Sequence, residues 1–445
     1  ISIRYFRNDY RRSLIHYFKS NWKRIFSRKP NNSTIYKKYL ILVLELLHPD
    51  IQEFINKNID KKVAKLALQK NPFPEMEWIA VLNQIEAKNK SKDKLPHWFA
   101  AKNIIFPSKI SVEQTSSEKT AYYKSEIVSG ENLIDLTGGF GVDDFYFAKK
   151  LKNVIHCEIN AELSQIVKHN FEQLNVKNIS CHSGDSLEIL AQLNSKYDWI
   201  YIDPSRRNDA KGKVFMLKDC LPNVPEHLDY LFNYSDRILI KTAPLLDISA
   251  GLSELRNVKS IHIVALENEV KELLWEIHKD YLGKTNLKTI NIVKEKQDVF
   301  EFVLDENPKI PEYGLPENYL YEPNSAILKS GGFDEVGTFY TLKKLHKHSH
   351  LYTNSEIIAF PGRIFEIENT FQYHKKEMKI FLEGKQLNIT TRNFPETVES
   401  IRKKWKIKDG GNQYCFFTTD ENDNKIVLIC KKIKTILLSF SSVVK

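Results

Sequence analysis

A chain of 445 residues is too long for one ordinary domain and calls for two or three. Hydrophobic residues make up 42% of it, yet the longest apolar run, Tyr39 to Leu44, is far too short to cross a membrane, so no membrane role is expected. The net charge of +10 is matched by residues 1–44, with eleven Lys or Arg and one acid; the rest is neutral overall, and the basic balance alone is no sign that the body of the chain binds nucleic acid.

Residues 1–43 differ in composition from the rest of the chain and are expected to be a basic extension outside the working fold, without the apolar stretch of a secretory signal. Leu44–Ile59, Lys61–Gln69 and Met76–Lys88 place apolar residues at helical spacing, with a break at Asn71-Pro72-Phe73-Pro74. They predict an N-terminal helical domain over residues 44–109. Strand and helix patterns then alternate. Strand candidates are Asn132–Leu136, Val154–Glu158, Ile179–Ser183, Trp199–Asp203, Arg237–Thr242, Ser260–Leu266 and Val299–Leu304. Helix candidates between them are Asp143–Leu151, Ala161–Leu174, Ser186–Leu193, Leu221–Phe232 and Leu246–Arg256. This alternation predicts an α/β domain over residues 110–307, a parallel sheet covered on both faces and ending in an antiparallel edge. Asn307-Pro308-Lys309-Ile310-Pro311 marks the next boundary. Residues 308–355 read as a short α+β segment, and residues 356–445 as β runs flanking one helix, Pro395–Trp405. Residues 371–445 carry 15 Lys or Arg against 8 Asp or Glu, which suits either contact with phosphates or a solvated face. The five cysteines are scattered and form no CxxC pair, so neither a metal site nor a disulfide framework is indicated, and a reducing cytoplasm is expected.

The most informative run is Leu133-Ile134-Asp135-Leu136-Thr137-Gly138-Gly139-Phe140-Gly141. It reads as a buried strand ending in a glycine turn that opens a helix. Glycines let a ligand approach the backbone closely. The spacing is not the dinucleotide pattern G-x-G-x-x-G, and Asp135 suits a cation, such as a methionine-type amino group, where a dinucleotide has its pyrophosphate. Three more acids close the next strands or lie just past them. Glu158 can accept from two ribose hydroxyls, Asp185 from an adenine amine, and Asp203 opens Asp203-Pro204-Ser205-Arg206-Arg207.

These residues resemble the class I S-adenosylmethionine-dependent methyltransferases over Leu133–Leu304. The resemblance implies a Rossmann-like seven-stranded sheet and S-adenosyl-L-methionine as cofactor. Asp135, Thr137, Gly138, Gly139, Phe140, Gly141, Glu158, Ile159, Asp185 and Ser186 would bind it, and Asp203, Pro204, Ser205 and Arg206 would line the transfer site. The segments Glu113–Glu118 with Tyr122-Tyr123-Lys124, Asn268–Leu274 and Tyr321-Glu322-Pro323-Asn324 resemble a bacterial group with a THUMP-like C-terminal domain. That implies a ferredoxin-like segment over 308–355, a THUMP-like domain over 356–445, and RNA as a partner through it. By the same likeness Gln114 would cover the cofactor.

Amino-methylating nucleic-acid enzymes carry Asp/Asn-Pro-Pro-aromatic where this chain has Asp203-Pro204-Ser205-Arg206. The stacking ring is missing, and Arg206 or Arg207 could hold a phosphate or carboxylate instead, or pair with surface acids. Cys220, in a helix candidate, reads as core, as does His156 on its strand. Lys241 reads as a surface lysine with a lesser claim to the pocket. His346, His348 and His350 sit on what reads as a Lys-rich helix end and present no single metal-binding face. The leading expectation is an RNA methyltransferase; the alternatives are a cofactor- or RNA-binding protein without transfer, and a methyltransferase of proteins or small molecules.

Overall fold

The computed structural model describes residues 45–107, 109–206, 216–305, 307 and 309–433; the basic extension expected over residues 1–43 and Arg207 lie outside them. The chain divides into two compact units, residues 1–115 with 161–175, and residues 116–160 with 176–445.

The first unit is helical. Helix Pro49–Lys57 starts with a proline in its first turn, and His48 accepts from the Asp50 N–H. Pro fits there because that N–H has no helical partner. Ile51, Ile55, Val81, Leu82, Ile85 and Trp98 are buried in this unit. Asn170, on helix Ala161–Gln173, bonds both the N–H (2.9 Å) and the carbonyl (2.8 Å) of Ile105. A side-chain amide can replace a strand partner in this way.

The second unit holds two large sheets. The first contains β1 (Asn132–Asp135), β2 (Asn153–Glu158), β3 (Ile179–Ser183), β4 (Trp199–Ile202), β7 (Arg237–Thr242), β8 (Val258–Leu266), β9 (Glu269–His278), β10 (Asn286–Val293) and β11 (Lys296–Val303), in the order β11-β10-β8-β9-β7-β4-β1-β2-β3. Between β4 and β7 lie the two-residue strands β5 (Ser205–Arg206) and β6 (Cys220–Leu221), paired with each other. β1 to β4 and β7 are parallel to one another, and β9 runs against both β7 and β8. Strand alternation sorts the core into two layers. Ile134, Ile200, Ile202, Ile238 and Ile240 pack on one face, and Leu133, Trp199, Tyr201 and Leu239 on the other.

The sheet has nine strands where the sequence pattern predicts seven. The extra two are β9 and β10. In β9 the carboxylates Glu272 and Glu276 interrupt an apolar run, a pattern as compatible with a helix as with a strand. Both are buried and ion-paired, Glu272 with Lys124 and Glu276 with Lys259.

The second sheet collects β12 (Tyr319–Pro323), β13 (Lys343–Lys344), β14 (Tyr352–Asn354), β15 (Gly362–Gln372), β16 (Asn388–Thr391), β17 (Gln413–Thr419) and β18 (Lys425–Lys432), in the order β13-β14-β12-β15-β18-β17-β16. The expected ferredoxin-like and THUMP-like parts therefore share one sheet, joined where β12 pairs with β15. Buried Glu322 strengthens that join by accepting from Arg363 Nε at 2.6 Å and Arg392 Nη2 at 2.9 Å.

Two local readings are corrected. Cys220 lies on β6, not in a helix, although it is buried as expected. The segment His346–His350 is a turn, not a helix end. His346 Nε2 bonds Asp423 Oδ1 at 3.0 Å, and His350 stacks on Phe333 with ring centres 3.6 Å apart. A helix over residues 375–381, not expected from the sequence pattern, precedes β16.

Candidate active site

From β1 the chain runs outward to β2 and β3, then returns to β4 on the other side of β1. The carboxyl ends of β1 and β4 therefore flank the topological switch point, where an open α/β sheet receives its ligand. Thr137 bridges the two ends. Its N–H and hydroxyl donate to Asp135 Oδ1 at 2.7 and 3.1 Å, and its Oγ1 accepts from the Asp203 N–H at 2.6 Å. The motif at the end of β4 is thus held to the glycine loop.

That loop requires glycine for two different reasons. At Gly138 a Cβ would lie 2.1 Å from His156 Cε1, so no other residue fits without displacing the ring. At Gly141 the backbone has φ +75°, a left-handed conformation that opens helix Val142–Phe147 and that only glycine adopts without strain. The Gly139 N–H donates to Glu158 Oε2 (3.0 Å) and the Asn160 N–H to Oε1 (2.7 Å), which fixes the Glu158 carboxylate beside the loop while leaving it half-exposed. Asp185 caps helix Ser186–Leu193. It accepts from Leu187 and Glu188 N–H, both through Oδ1, so Oδ2 has no protein donor among the described residues.

Behind the β4 motif lies a chain of buried charges. Lys241, on β7, pairs with Asp203 Oδ2. Burial works against the Lys241 ammonium, but the carboxylates of Asp203, Asp143 and Glu272 outweigh it and hold its pKa above that of an ordinary lysine. Asp143 Oδ2 accepts from Tyr201 OH (2.8 Å) and Ser116 Oγ (2.9 Å), and its Oδ1 lies 3.1 Å from Lys124 Nζ. Lys124 is fully buried and also donates to both oxygens of Glu272, at 2.9 and 2.8 Å. Burial alone would raise the Asp143 pKa; Lys124 and Lys241 more than offset this, and it is lowered. A charge in such a place is tolerated only when paired on every side.

Beneath the glycine loop is a second buried group. His156 Nδ1 lies 2.6 Å from Asp144 Oδ2. Burial first, and a neighbouring carboxylate second (Asp144 for Asp135, Asp143 for Asp144), raise the pKa of both Asp135 and Asp144 well above the usual range. Burial lowers that of His156. Two neighbouring carboxyls in a dry site cannot both ionise.

The structure thus joins Asp135, Thr137 and Asp203 by hydrogen bonds at the carboxyl ends of β1 and β4, and Glu158 to the loop of Gly138, Gly139 and Gly141 through the Gly139 N–H. The Phe140 ring is buried, Ile159 is 75% exposed, Pro204 is buried and Ser205 exposed. Arg206 pairs through its backbone with Cys220. Ser186 begins the helix that Asp185 caps. Gln114 is exposed at the end of helix Lys109–Gln114, in the first unit. Lys124, Asp143, Tyr201 and Glu272 are structurally prominent residues outside the sequence-predicted set. The signal for two of them was present, since Lys124 and Glu272 belong to the segments that carry the family resemblance. Among the described residues no group of His, Cys, Asp or Glu could hold a metal ion, and no helix is long and apolar enough to cross a membrane.

A ferredoxin-like domain family matches residues 319–361, and a THUMP-domain-like family matches residues 362–432. A crystal structure from Porphyromonas gingivalis W83, described as that of a proposed methyltransferase, superposes with a TM-score of 0.77 at 30% identity, covering 88% of this chain and 98% of that one. Two uncharacterised RNA methyltransferases are similar over shorter stretches. That of Clostridium acetobutylicum is 30% identical over 105 residues, and that of Mycoplasma mobile 31% over 108. The chain spans 23% and 29% of the length of these curated relatives.

Proposed function

Since the chain belongs to the methyltransferase family with a THUMP-like C-terminal domain, the family of the Porphyromonas protein, we propose that it transfers the methyl group of S-adenosyl-L-methionine to RNA. The observation that carries this reading is the glycine loop at the switch point. Its Gly138 lies too close to His156 for any side chain, and two carboxylates accompany it: Glu158, half-exposed and held by the Gly139 and Asn160 N–H groups, and Asp185, whose Oδ2 has no protein donor among the described residues. These residues fit the cofactor. Gly138, Gly139 and Gly141 would face its methionine part, Glu158 its ribose hydroxyls, and Asp185 Oδ2 its adenine amine. Asp135, engaged with Thr137, acts by holding the loop.

The cofactor, when bound, supplies a methyl group already activated on a sulfonium, so the protein's work is positioning and electrostatics. Asp203, Pro204, Ser205 and Arg206 would line the receiving side. Lys241 keeps the Asp203 carboxylate in place, ready to accept from an N–H of the target. The basic excess of residues 371–445 supports RNA as substrate, and a cytoplasmic location goes with it. The absent stacking ring favours a second reading, a protein that binds the cofactor or an RNA without transfer.

Mass spectrometry of nucleosides from a deletion strain and its parent tests the proposal. One methylated nucleoside should vanish in the deletion and return with the wild-type gene, though not with Asp203→Ala. Identical nucleoside profiles in the two strains would count against RNA as the substrate.

A further inference from the structure

A second site stands apart from the sheet crevice. In the C-terminal sheet domain, helix Lys375–Phe381 and helix Val398–Trp405 both contribute to a cleft of about 490 Å³. Its wall is built of aromatic rings held rigidly. The Trp405 Nε1–H donates to Tyr373 OH at 3.1 Å, and Tyr373 OH donates to Glu396 Oε1 at 2.7 Å. The Tyr373 ring is wedged edge-to-face against Trp405, Phe394 and Phe417. Lys404 is fixed at the rim, donating to Glu396 (2.9 Å) and Tyr373 OH (3.1 Å) with its ammonium over both rings.

Two further lysines line the cleft on different terms. Lys375 and Lys379 are exposed, four residues apart on one helix, so they share a face. Neither forms an ion pair or side-chain hydrogen bond among the described residues. Like charges at this spacing destabilise a helix. The pair is unfavourable for the folded domain by itself, and an anion seated between the two ammonium groups removes the repulsion. Glu383 is the one carboxylate on the lining, against three lysines. A row of cations beside a preorganised aromatic wall has the chemistry that tracks a nucleic-acid backbone.

We propose that this cleft is where the C-terminal domain grips RNA, with Lys375 and Lys379 as ligands of backbone phosphates and Lys404 as a third, prepositioned cation. The assignment rests on the reading of the chain as an RNA methyltransferase and names where that RNA is held. Charge-based contact of this kind reads phosphate and not sequence, so the cleft supplies affinity and leaves base choice to the Asp203 crevice.

The test uses the full chain and a fluorescently labelled single-stranded RNA of mixed sequence, with anisotropy titrations between about 50 and 200 mM salt. Each phosphate contact to a single strand contributes about 0.7 to the slope of log affinity against log salt. Lys375→Gln/Lys379→Gln should therefore bind at least about tenfold more weakly at the lower salt, with a slope shallower by about 1.4. Lys375→Arg/Lys379→Arg should retain wild-type affinity and slope. A double glutamine variant that matches the wild type in both quantities would overturn the assignment, even if methyl transfer to RNA is intact. Tighter binding of polyglutamate than of RNA at equal charge would also overturn it, since the cleft would then suit an acidic polypeptide. Failure of the wild type to bind or methylate any RNA would remove the underlying reading, and this proposal with it.

Discussion

Gly138→Ala offers the most direct probe of how the loop is built. The new Cβ would lie 2.1 Å from His156 Cε1 and 2.2 Å from Nδ1. To reach an ordinary carbon contact the ring must retreat by about 1.4 Å. It has nowhere to go, being fully buried with Nδ1 held 2.6 Å from Asp144 Oδ2. Overpacking of this kind costs about 1–3 kcal/mol. Loss of the hydrogen bond to a buried carboxyl adds about 1–3 kcal/mol. A destabilisation of about 3–5 kcal/mol is expected, together with loss of cofactor affinity, because the loop moves with the ring. Urea unfolding followed by tryptophan fluorescence measures the first, and equilibrium dialysis with S-adenosylmethionine the second. His156→Ala, introduced into Gly138→Ala, removes the atoms that clash and should return at least about 1 kcal/mol. Stability within about 0.5 kcal/mol of the parent for Gly138→Ala, as for an unconstrained surface change, would refute the reasoning. So would a double variant no more stable than Gly138→Ala.

Three other outcomes are expected from the buried charges. Lys124→Met should cost about 3–5 kcal/mol because it strands Glu272 and Asp143, whereas adding Glu272→Leu should recover part of that loss in urea unfolding; strictly additive effects would show that the cluster is not an electrostatic unit. Lys241→Gln should leave cofactor affinity unchanged and lower kcat by about 10²–10³, and an unaltered kcat would remove Lys241 from the positioning of Asp203. Burial, then the neighbouring Asp143, raise the Asp144 pKa well above 3.8 in the folded state. Folding therefore retains this proton, a contribution that is full below about pH 4 and is lost as pH rises toward the folded value. Asparagine mimics the protonated form, so Asp144→Asn should gain on the parent in urea midpoint as pH rises from about 5 to 8; parallel profiles would mean that Asp144 titrates as an ordinary carboxylate.

The parts legible in the sequence are those with local causes. The glycine loop declares itself because Gly138 and Gly141 are demanded by a close contact and a left-handed backbone. The strand ends declare themselves because apolar runs stop at acids that are only partly buried, as at Glu158 and Asp203. The pairing within the buried network was not legible, because it joins positions far apart in the chain: Lys124 meets Glu272 across 148 residues, and Lys241 meets Asp203 across 38. A lysine at a strand end looks like a surface lysine until its partner is placed. β9 was hidden for the same reason, since buried carboxylates in a strand make sense only beside the cations that pair with them. Helix Lys375–Phe381 escaped because a short, cation-rich helix of seven residues carries little periodicity of its own.

The central claim is that this chain methylates RNA at the crevice beside Asp203. It is tested most directly by giving the purified full chain methyl-labelled S-adenosylmethionine and RNA from a deletion strain, with and without ribonuclease. The account predicts label that enters the RNA, disappears on ribonuclease treatment, and is absent with Asp203→Ala. Label that survives ribonuclease, or cofactor binding without any transfer, would contradict it.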